Sequence, residues 1–179
     1  MTNPVLAARA FAKARHEGQF RKNASRSPYF IHLEEVAALT ERVGGSEVAI
    51  CAAWLHDTVG DCPPTSLDEL TEHFGAEIAG IVGELTDDKS LPKAERKRLQ
   101  VAHSASKSPE AALVKLADKC SNCRSVLETP PADWDGARRL EYIAWASEVV
   151  SGLNHLPPEA VDHFEAIIVR ARAAFDDQA

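Results

Sequence analysis

The sequence predicts an all-α fold in which residues 1–179 form one domain. Apolar residues recur at spacings of three and four along most of the chain, which is the period of an amphipathic helix. No segment shows the strict apolar-polar alternation of a half-buried strand. Residues that favour helix N-termini stand directly before the periodic segments. A chain of 179 residues is also long enough to bury a substantial core without disulfide bonds.

The first predicted helix begins at the N-terminus. Asn3 followed by Pro4 is typical of a helix cap and first turn, and the helix should continue to about Gly18. Residues 19–28 are basic and rich in serine, so they are predicted to form a loop. The next helix carries His32.

Glycines and serines mark the ends of the following helices. Gly44 and Gly45 are predicted to end the His32 helix, and Ser46 to cap the helix within VAICAAWLHDTVGDC. Residues 60–65 contain Pro63-Pro64 and are predicted to be a loop. A capping box at 66–69 begins a short helix that should end at residue 75.

The second half of the chain continues the helical pattern. In the last segment, Val161, Phe164, Ile168, Ala171 and Phe175 form one apolar stripe, so this helix should pack on the core. Further helices are predicted over residues 76–85, 92–104, 110–127, 135–153 and 159–175.

Composition narrows the class of protein. Hydrophobic residues make up 45% and charged residues 26%, as in an ordinary globular protein. No apolar run approaches the roughly 20 residues that span a bilayer, and no secretory signal is evident, so we expect a cytoplasmic protein without a membrane partner. A net charge of −7 argues against nucleic acid as a partner. The pair Cys120 and Cys123 lacks a second CxxC, so buried thiols are expected rather than a structural zinc site.

Basic residues are concentrated in two segments. Six of the 20 Lys and Arg residues lie in 9–26 and five in 89–98, whereas 27–88 contains only Arg42. Two solvated helix faces would explain this pattern, as would a polyphosphate ligand held between the two segments. Because the segments flank the acidic region discussed next, the second interpretation is favoured.

The adjacent residues His56 and Asp57 indicate a metal site. They stand at the end of an apolar helix, where a His and an Asp need partners, and a divalent ion is the simplest partner. His32 in PYFIHLEEVAAL and Asp118 in LVKLADKCSN are the candidate further ligands. Alternatively, His32 is a hydrogen-bonded core histidine and Asp118 an acid in an internal salt bridge.

Two imidazoles and two carboxylates would neutralise a divalent ion and leave coordination positions open for water and substrate. That arrangement is typical of catalytic rather than structural sites. The mixed nitrogen and oxygen ligand set suits Mn²⁺ or Fe²⁺ at least as well as Zn²⁺.

Several blocks, in order, resemble the HD-domain hydrolases of the Rel/Spo homologue family. They are HEGQFRK with SPYFIH, WLHDTVGD, LTDDKSLPKAERKRLQ, VKLADKCSN and RRLEYIAWASEVV, from about residue 12 to residue 150. The sequence is most similar to the small stand-alone alarmone hydrolases of the metazoan Spo homologue type. The resemblance implies an all-helical Mn²⁺ enzyme that removes pyrophosphate from the 3′ position of guanosine tetra- and pentaphosphate. It places the family's metal ligands on His32, His56, Asp57 and Asp118.

The resemblance also implies a substrate-binding set. Arg21 and Lys22 match the Arg-Lys of the family's basic loop, and Lys93 matches a basic position of the second cluster. Arg is suited to bidentate phosphate contacts and Lys to a point-charge contact. Asn122 lies one helical turn after Asp118 and is expected to bond a ribose or phosphate, and Tyr142 to contact the nucleoside. A solvated loop for the basic pair and a core position for the tyrosine are the competing interpretations.

The chain departs from the family pattern at Gly60. The family has a Glu-Asp pair directly after the His-Asp helix, whereas this chain has Gly60 followed by Asp61. A glycine side chain can neither accept a proton nor orient water, so Asp61 is the remaining candidate for general acid-base catalysis.

The sequence is also compatible with two further functions. The same metal site could act on NADPH or a nucleoside monophosphate. The chain could also be a nucleotide-binding sensor whose turnover is reduced by Gly60. The sequence leaves the oligomeric state unknown. His16, His73, His103, His155 and His163 are assigned to the surface because they have no partners at ligand spacing.

Overall fold

Ten α-helices and one short 3₁₀ helix make up the computed structural model, which describes residues 3–176. The bridges Phe20–Pro28 and Asn23–Pro131 are isolated and form no sheet within that range. The predicted all-α fold is confirmed. The helices are α1 (Pro4–Arg15), α2 (Phe30–Arg42), α3 (Glu47–Leu55), α4 (Thr58–Asp61), α5 (Leu67–Phe74), α6 (Ala76–Leu85), α7 (Lys93–Ala102), α8 (Pro109–Glu128), α9 (Gly136–Ser151) and α10 (Pro158–Asp176), with the 3₁₀ helix at Ser104–Ser106.

Side-chain caps begin the helices where the sequence predicts them. The side-chain oxygens of Asn3, Ser46 and Ser66 accept backbone N–H groups in the first turns of α1, α3 and α5. Ser108 and Asp135 cap α8 and α9 in the same way. Each cap satisfies a backbone donor that has no partner inside its helix.

Two predicted boundaries are wrong. Helix α1 ends at Arg15 rather than near Gly18, because the chain turns after His16 and Gly18 adopts a φ of 76° that glycine tolerates best. Gly60 lies in the helical turn α4 rather than in a loop. This turn forms because the Asp61 N–H donates to the Asp57 carbonyl at 2.9 Å, which continues the helical pattern after α3.

Helices α3 and α8 form the centre of the fold. Helix α8 packs against α2, α3, α6, α9 and α10, and α3 packs against α1, α2, α6 and α8. All residues of α3 from Cys51 to Leu55 are buried, as expected of a helix that is apolar on every face. His56 and Asp57, which directly follow this helix, therefore lie next to the protein core. Among residues 3–176, no helix is both long and apolar enough to cross a membrane.

The four cysteines are free and buried, as the sequence predicts. Cys120 and Cys123 lie on α8, where burial raises the pKa of each thiol to about 12. Both thiols stay protonated at neutral pH, which is the unreactive form.

The buried charge of Lys115 on α8 destabilises the folded state. It is 5% exposed, and burial lowers its pKa from 10.5 to about 8, with repulsion from Lys119 acting in the same direction. That difference corresponds to roughly 3 kcal/mol, at about 1.4 kcal/mol per pH unit. Below pH 8 both the folded and unfolded chains hold the proton, so the cost is present in full. Between pH 8 and 10.5 only the unfolded chain holds it, so this group makes stability rise with pH.

We therefore expect Lys115→Met to stabilise the protein at neutral pH. Methionine keeps the length and flexibility of the side chain without its charge, so the gain should reach up to roughly 3 kcal/mol at pH 7 and shrink towards pH 10.5. Urea unfolding at the two pH values measures this gain. Lys13→Met, at an exposed position of α1, is the control and should change stability little. A loss of stability for Lys115→Met at pH 7 would contradict the prediction.

Candidate metal centre and substrate pocket

Four side chains from three parts of the chain converge beside α8. His32 comes from α2, His56 and Asp57 follow α3, and Asp118 lies in the middle of α8. The Nε2 atoms of the two histidines are 3.3 Å apart. Asp57 Oδ2 lies 3.1 Å from His56 Nε2 and 3.5 Å from His32 Nε2, and Asp118 Oδ1 lies 3.9 Å and 3.3 Å from the same two atoms.

These separations suit a metal ion. Donor atoms bound at ~2.1 Å to one ion lie roughly 3 to 3.5 Å from each other, which is close to the distances between the four side chains. The donor atoms of His32, His56 and Asp118 all lie within 4.8 Å of one another, and all three residues are buried. Asp57 is the more accessible member, with 26% of its side chain exposed.

Both imidazoles are oriented by a bond on the opposite side of the ring. His56 Nδ1 lies 2.8 Å from the Ala53 carbonyl oxygen, which can only accept, so Nδ1 carries the proton. His32 Nδ1 lies 2.8 Å from Ser121 Oγ. In both residues Nε2 therefore faces the centre, and outer contacts of this kind fix the ring orientation of metal-ligating histidines.

Outer contacts also hold the two carboxylates. The Tyr29 hydroxyl donates to Asp57 Oδ2 at 2.6 Å. Asn122 Nδ2 donates to Asp118 Oδ1 at 2.6 Å, and the Lys119 ammonium lies 3.2 Å from Asp118 Oδ2. Both carboxylates are therefore held in place by neighbouring side chains.

Attraction between opposite charges shifts the pKa values of the groups in the centre. Burial lowers the pKa of His32, but hydrogen bonds and charge attraction from Asp118 and Asp57 outweigh it and raise the pKa to about 9. Burial favours the neutral form of both aspartates, yet the attraction of His56 holds the pKa of Asp57 well below its usual range, and that of Lys119 does the same for Asp118. Both aspartates are therefore ionised at neutral pH, and a divalent ion would displace the proton from His32.

Asp61 and Gly60 lie in α4, directly after the His-Asp pair. Asp61 Oδ1 accepts a hydrogen bond from the Lys89 ammonium at 2.8 Å, and this ion pair is partly exposed. A Cβ atom at Gly60 would lie 3.3 Å from Lys89 Cε. The Lys89 side chain therefore passes over Gly60, the position to which the resemblance assigns the family's glutamate.

A cavity of about 250 Å³ opens beside the centre. It combines basic, amide and aromatic groups, including Arg21, Lys22, Asn122, Trp134 and Tyr142. Arg21 Nη2 donates to Asn122 Oδ1 at 3.2 Å, and Asn122 in turn donates to Asp118. The basic loop is thus connected to a proposed metal ligand through one amide, and four of the five predicted substrate-binding residues line one cavity.

Other basic residues of the two segments have different positions. Lys93 is exposed at the start of α7 and does not line this cavity. Arg9 and Arg15 pair with Glu34 and Glu69, so both are bonded to neighbouring helices. Only part of the basic charge noted in the sequence is therefore directed at the pocket.

His16 is not at the surface, contrary to the prediction. It is 2% exposed, its ring stacks on Tyr29 with centroids 5.2 Å apart, and its Nδ1 lies 2.8 Å from Gln19 Oε1. Burial lowers its pKa. Ala8 and Ala12 are fully buried at spacings of four, and His16 continues their series, so the helical period offered a signal for its burial.

The fold and the centre define the class of protein. Residues 8–146 match the HD domain family, which is more than half of the chain. The chain therefore belongs to the HD-domain family, whose hydrolases depend on a metal ion.

Individual relatives are similar over nearly the whole chain. The guanosine-3′,5′-bis(diphosphate) 3′-pyrophosphohydrolase MESH1 of Homo sapiens is 46% identical over 164 residues, which cover 89% of this chain and 91% of that protein. MESH1 of Drosophila melanogaster is 40% identical over 146 residues, covering 80% and 81%. A solved structure described as a metazoan ortholog of SpoT that hydrolyzes ppGpp has a TM-score of 0.89 at 34% identity, covering 95% and 96%. The resemblance inferred from the sequence is confirmed.

Proposed function

We propose that this protein is a Mn²⁺-dependent guanosine-3′,5′-bis(diphosphate) 3′-pyrophosphohydrolase that converts guanosine tetra- and pentaphosphate to GDP or GTP and pyrophosphate. The convergence of His32, His56, Asp57 and Asp118 beside a basic and aromatic cavity carries the proposal. The relatives support it, because the MESH1 proteins are named for this 3′-pyrophosphohydrolase activity.

Four side chains would hold the ion, and their donor set fits Mn²⁺, which accepts imidazole nitrogen and carboxylate oxygen together. When bound, the ion would lower the pKa of a water molecule and polarise an oxygen of the phosphoryl group whose phosphorus is attacked. Two carboxylates offset its charge. His32 and His56 are buried, so few waters compete for their ring nitrogens.

The remaining proposed residues act on substrate and water. Arg21 and Lys22 would hold a diphosphate, Asn122 a ribose or phosphate oxygen, and Tyr142 the nucleoside. Lys93, which does not line the cavity, would reach the other phosphates. Asp61 is proposed to orient the attacking water and accept its proton. Hydrolysis adds the water hydroxyl to the phosphorus bonded to O3′, breaks the O3′–P bond, and delivers a proton to O3′.

A reduced-turnover sensor is the second candidate function, and the pairing of Asp61 with Lys89 favours it. With Gly60 beside it, Asp61 is the one carboxylate of the α4 turn, and its Oδ1 already accepts a bond from the Lys89 ammonium. That bond occupies one of the two Asp61 carboxylate oxygens that would otherwise contact the attacking water. Such a protein would bind metal and nucleotide but form little or no product.

One assay separates these functions. The purified protein is incubated with Mn²⁺ and, separately, guanosine tetraphosphate, NADPH or a nucleoside monophosphate, and the products are identified by chromatography. GDP with pyrophosphate supports the proposal, free phosphate from NADPH supports a different phosphatase, and nucleotide binding without product supports the sensor.

We expect Arg21→Ala to raise KM for guanosine tetraphosphate about tenfold or more with little change in kcat. The guanidinium is proposed to hold a phosphate equally in the ground and transition states, so its loss weakens binding without slowing the bound complex. Initial rates across a range of substrate concentrations measure both constants. Arg98→Ala, which removes an exposed arginine paired with Glu95 on α7, is the matched control. Equal KM values for the two variants would show that the basic loop does not contribute to substrate binding.

We also propose that the chain forms one domain, because α1 packs against α3 and α10 against α8. Residues 1–2 and 177–179 of the predicted domain lie outside the described residues. A cytoplasmic location, and a small-molecule ligand rather than nucleic acid, stay predictions from the sequence.

A further inference from the structure

Three successive contacts lead from the surface to His32. Arg124 Nη2 lies 2.9 Å from Glu35 Oε1 in an ion pair that is about one third exposed. The Ser121 hydroxyl donates to Glu35 Oε2 at 2.6 Å. Ser121 Oγ lies 2.8 Å from His32 Nδ1. Ser121 and His32 are 3% and 1% exposed, so water has little access to this end of the series.

The carboxylate sets the direction of these hydrogen bonds. An ionised carboxylate only accepts, so the single hydroxyl proton of Ser121 is directed to Glu35. Ser121 Oγ is left with lone pairs towards His32, which must therefore supply the proton at Nδ1. A neutral His32 with its proton on Nδ1 has its lone pair on Nε2, the atom that faces Asp57 and Asp118.

Without the carboxylate this direction would be undetermined. A serine hydroxyl can donate as well as accept, and a hydroxyl that donates to Nδ1 favours the tautomer with its proton on Nε2. That tautomer cannot bind a metal through Nε2. His56 has no such ambiguity, because its partner is the Ala53 carbonyl oxygen, which cannot donate.

We propose that Glu35 is a positioning residue that, through Ser121, holds His32 in the tautomer that presents Nε2 to the metal ion, with Arg124 fixing the carboxylate. The proposal rests on the proposed metal centre. Glu35 is not one of the four proposed ligands and does not line the proposed substrate cavity, so its proposed effect passes through the histidine. Its loss should weaken metal affinity, whereas excess metal should restore turnover.

Metal affinity is the test. Isothermal titration with Mn²⁺ alone is expected to show roughly tenfold weaker binding for Glu35→Ala and roughly 10–100-fold weaker binding for Ser121→Ala, the usual range for loss of an outer contact to a ligand. The double variant should bind no more weakly than Ser121→Ala, because the two side chains act in series. At saturating Mn²⁺, kcat of Glu35→Ala should stay within about threefold of the parent.

The neighbouring Glu34 is the matched control. It is on the same helix, is partly exposed and pairs with Arg9 at 3.1 Å, so Glu34→Ala removes the same charge without touching Ser121. Thermal unfolding without metal detects a purely structural defect in any variant. The proposal is supported if Glu35→Ala binds Mn²⁺ more weakly than Glu34→Ala while the two metal-free proteins unfold at similar temperatures.

Three results would overturn it. They are equal Mn²⁺ affinities for Glu35→Ala and Glu34→Ala, additive losses in the double variant, and a parent protein that does not bind Mn²⁺. A parent that binds Mn²⁺ but does not hydrolyse guanosine tetraphosphate overturns only the proposed activity, and the affinity comparison then decides on Glu35 alone.

Discussion

Replacing either Asp118 or His56 by alanine is expected to reduce metal-dependent hydrolysis to background. Each variant loses one of four proposed ligands, so metal affinity should fall by more than the roughly 10–100-fold typical of outer contacts. For Asp118→Ala a second effect follows, because the buried Lys119 ammonium loses the carboxylate that lies 3.2 Å from it. Removing one member of a buried ion pair costs roughly 3–5 kcal/mol, so this variant should also be less stable.

Conservative variants separate the loss of metal from the loss of folding. Asp118→Asn keeps the shape of the side chain and can still accept a bond from Lys119, so it should fold better than the alanine variant and still fail to turn over. His163→Ala, a partly buried histidine on α10 outside the centre, is the matched control for His56→Ala. Circular dichroism, Mn²⁺ titration and product assays measure the three properties. Parent-like Mn²⁺ binding and turnover in either alanine variant would show that the centre is wrongly assigned.

Gly60→Glu is expected to raise kcat, by up to the 10²–10⁴-fold that general acid-base assistance typically supplies, with little change in KM. The new Cβ atom would lie 3.3 Å from Lys89 Cε, the flexible end of a partly exposed side chain that can move aside. Gly60 also lies in a helical turn, where glycine is a poor residue, so the variant should not lose stability. A glutamate here could pair with Lys89 and release Asp61 for catalysis.

Two glutamate-sized controls test this explanation. Gly60→Gln adds the same volume without a base and should leave kcat near that of the parent. Gly80→Glu adds the same charge at an exposed position of α6, where an added Cβ atom would have no neighbour within 4 Å, and should also leave kcat unchanged. If the parent already has a high kcat and Gly60→Glu does not raise it, then Asp61 or another residue supplies the general acid-base catalysis. No turnover in either protein, despite bound Mn²⁺ and nucleotide, would favour the sensor.

Local sequence signals predicted the helices well but not every connection between them. Caps and apolar periods act within one or two turns, so Ser46 and Ser66 identified the starts of α3 and α5 correctly. Pro63-Pro64 predicts a loop that includes Gly60, yet the hydrogen bond from the Asp61 N–H to the Asp57 carbonyl extends a helical turn through Gly60. Glycine and proline indicate where a helix ends only to within a few residues.

The proposed ligands could be selected from the sequence, whereas their outer contacts could not. His32, His56 and Asp118 are metal-binding residue types within apolar segments, which a sequence displays directly. Glu35 and Ser121 look like ordinary polar residues of helix surfaces, and they meet only because α2 packs against α8. Tyr29, before α2, reaches Asp57, after α3, because α2 also packs against α3. Long-range packing of this kind has no local sequence signature.

The proposed ligands come from α2, the end of α3 and α8, so their donor atoms meet only when these helices are packed together. An unfolded chain therefore lacks the assembled site. An ion that binds only to the folded protein stabilises the folded state against unfolding. By mass action the folded state gains about 2.7 kcal/mol when free metal is 100 times its dissociation constant. The concentration of free metal would then set both the rate of hydrolysis and the resistance of the protein to proteases. At low metal concentration the enzyme would be inactive and would also be degraded faster.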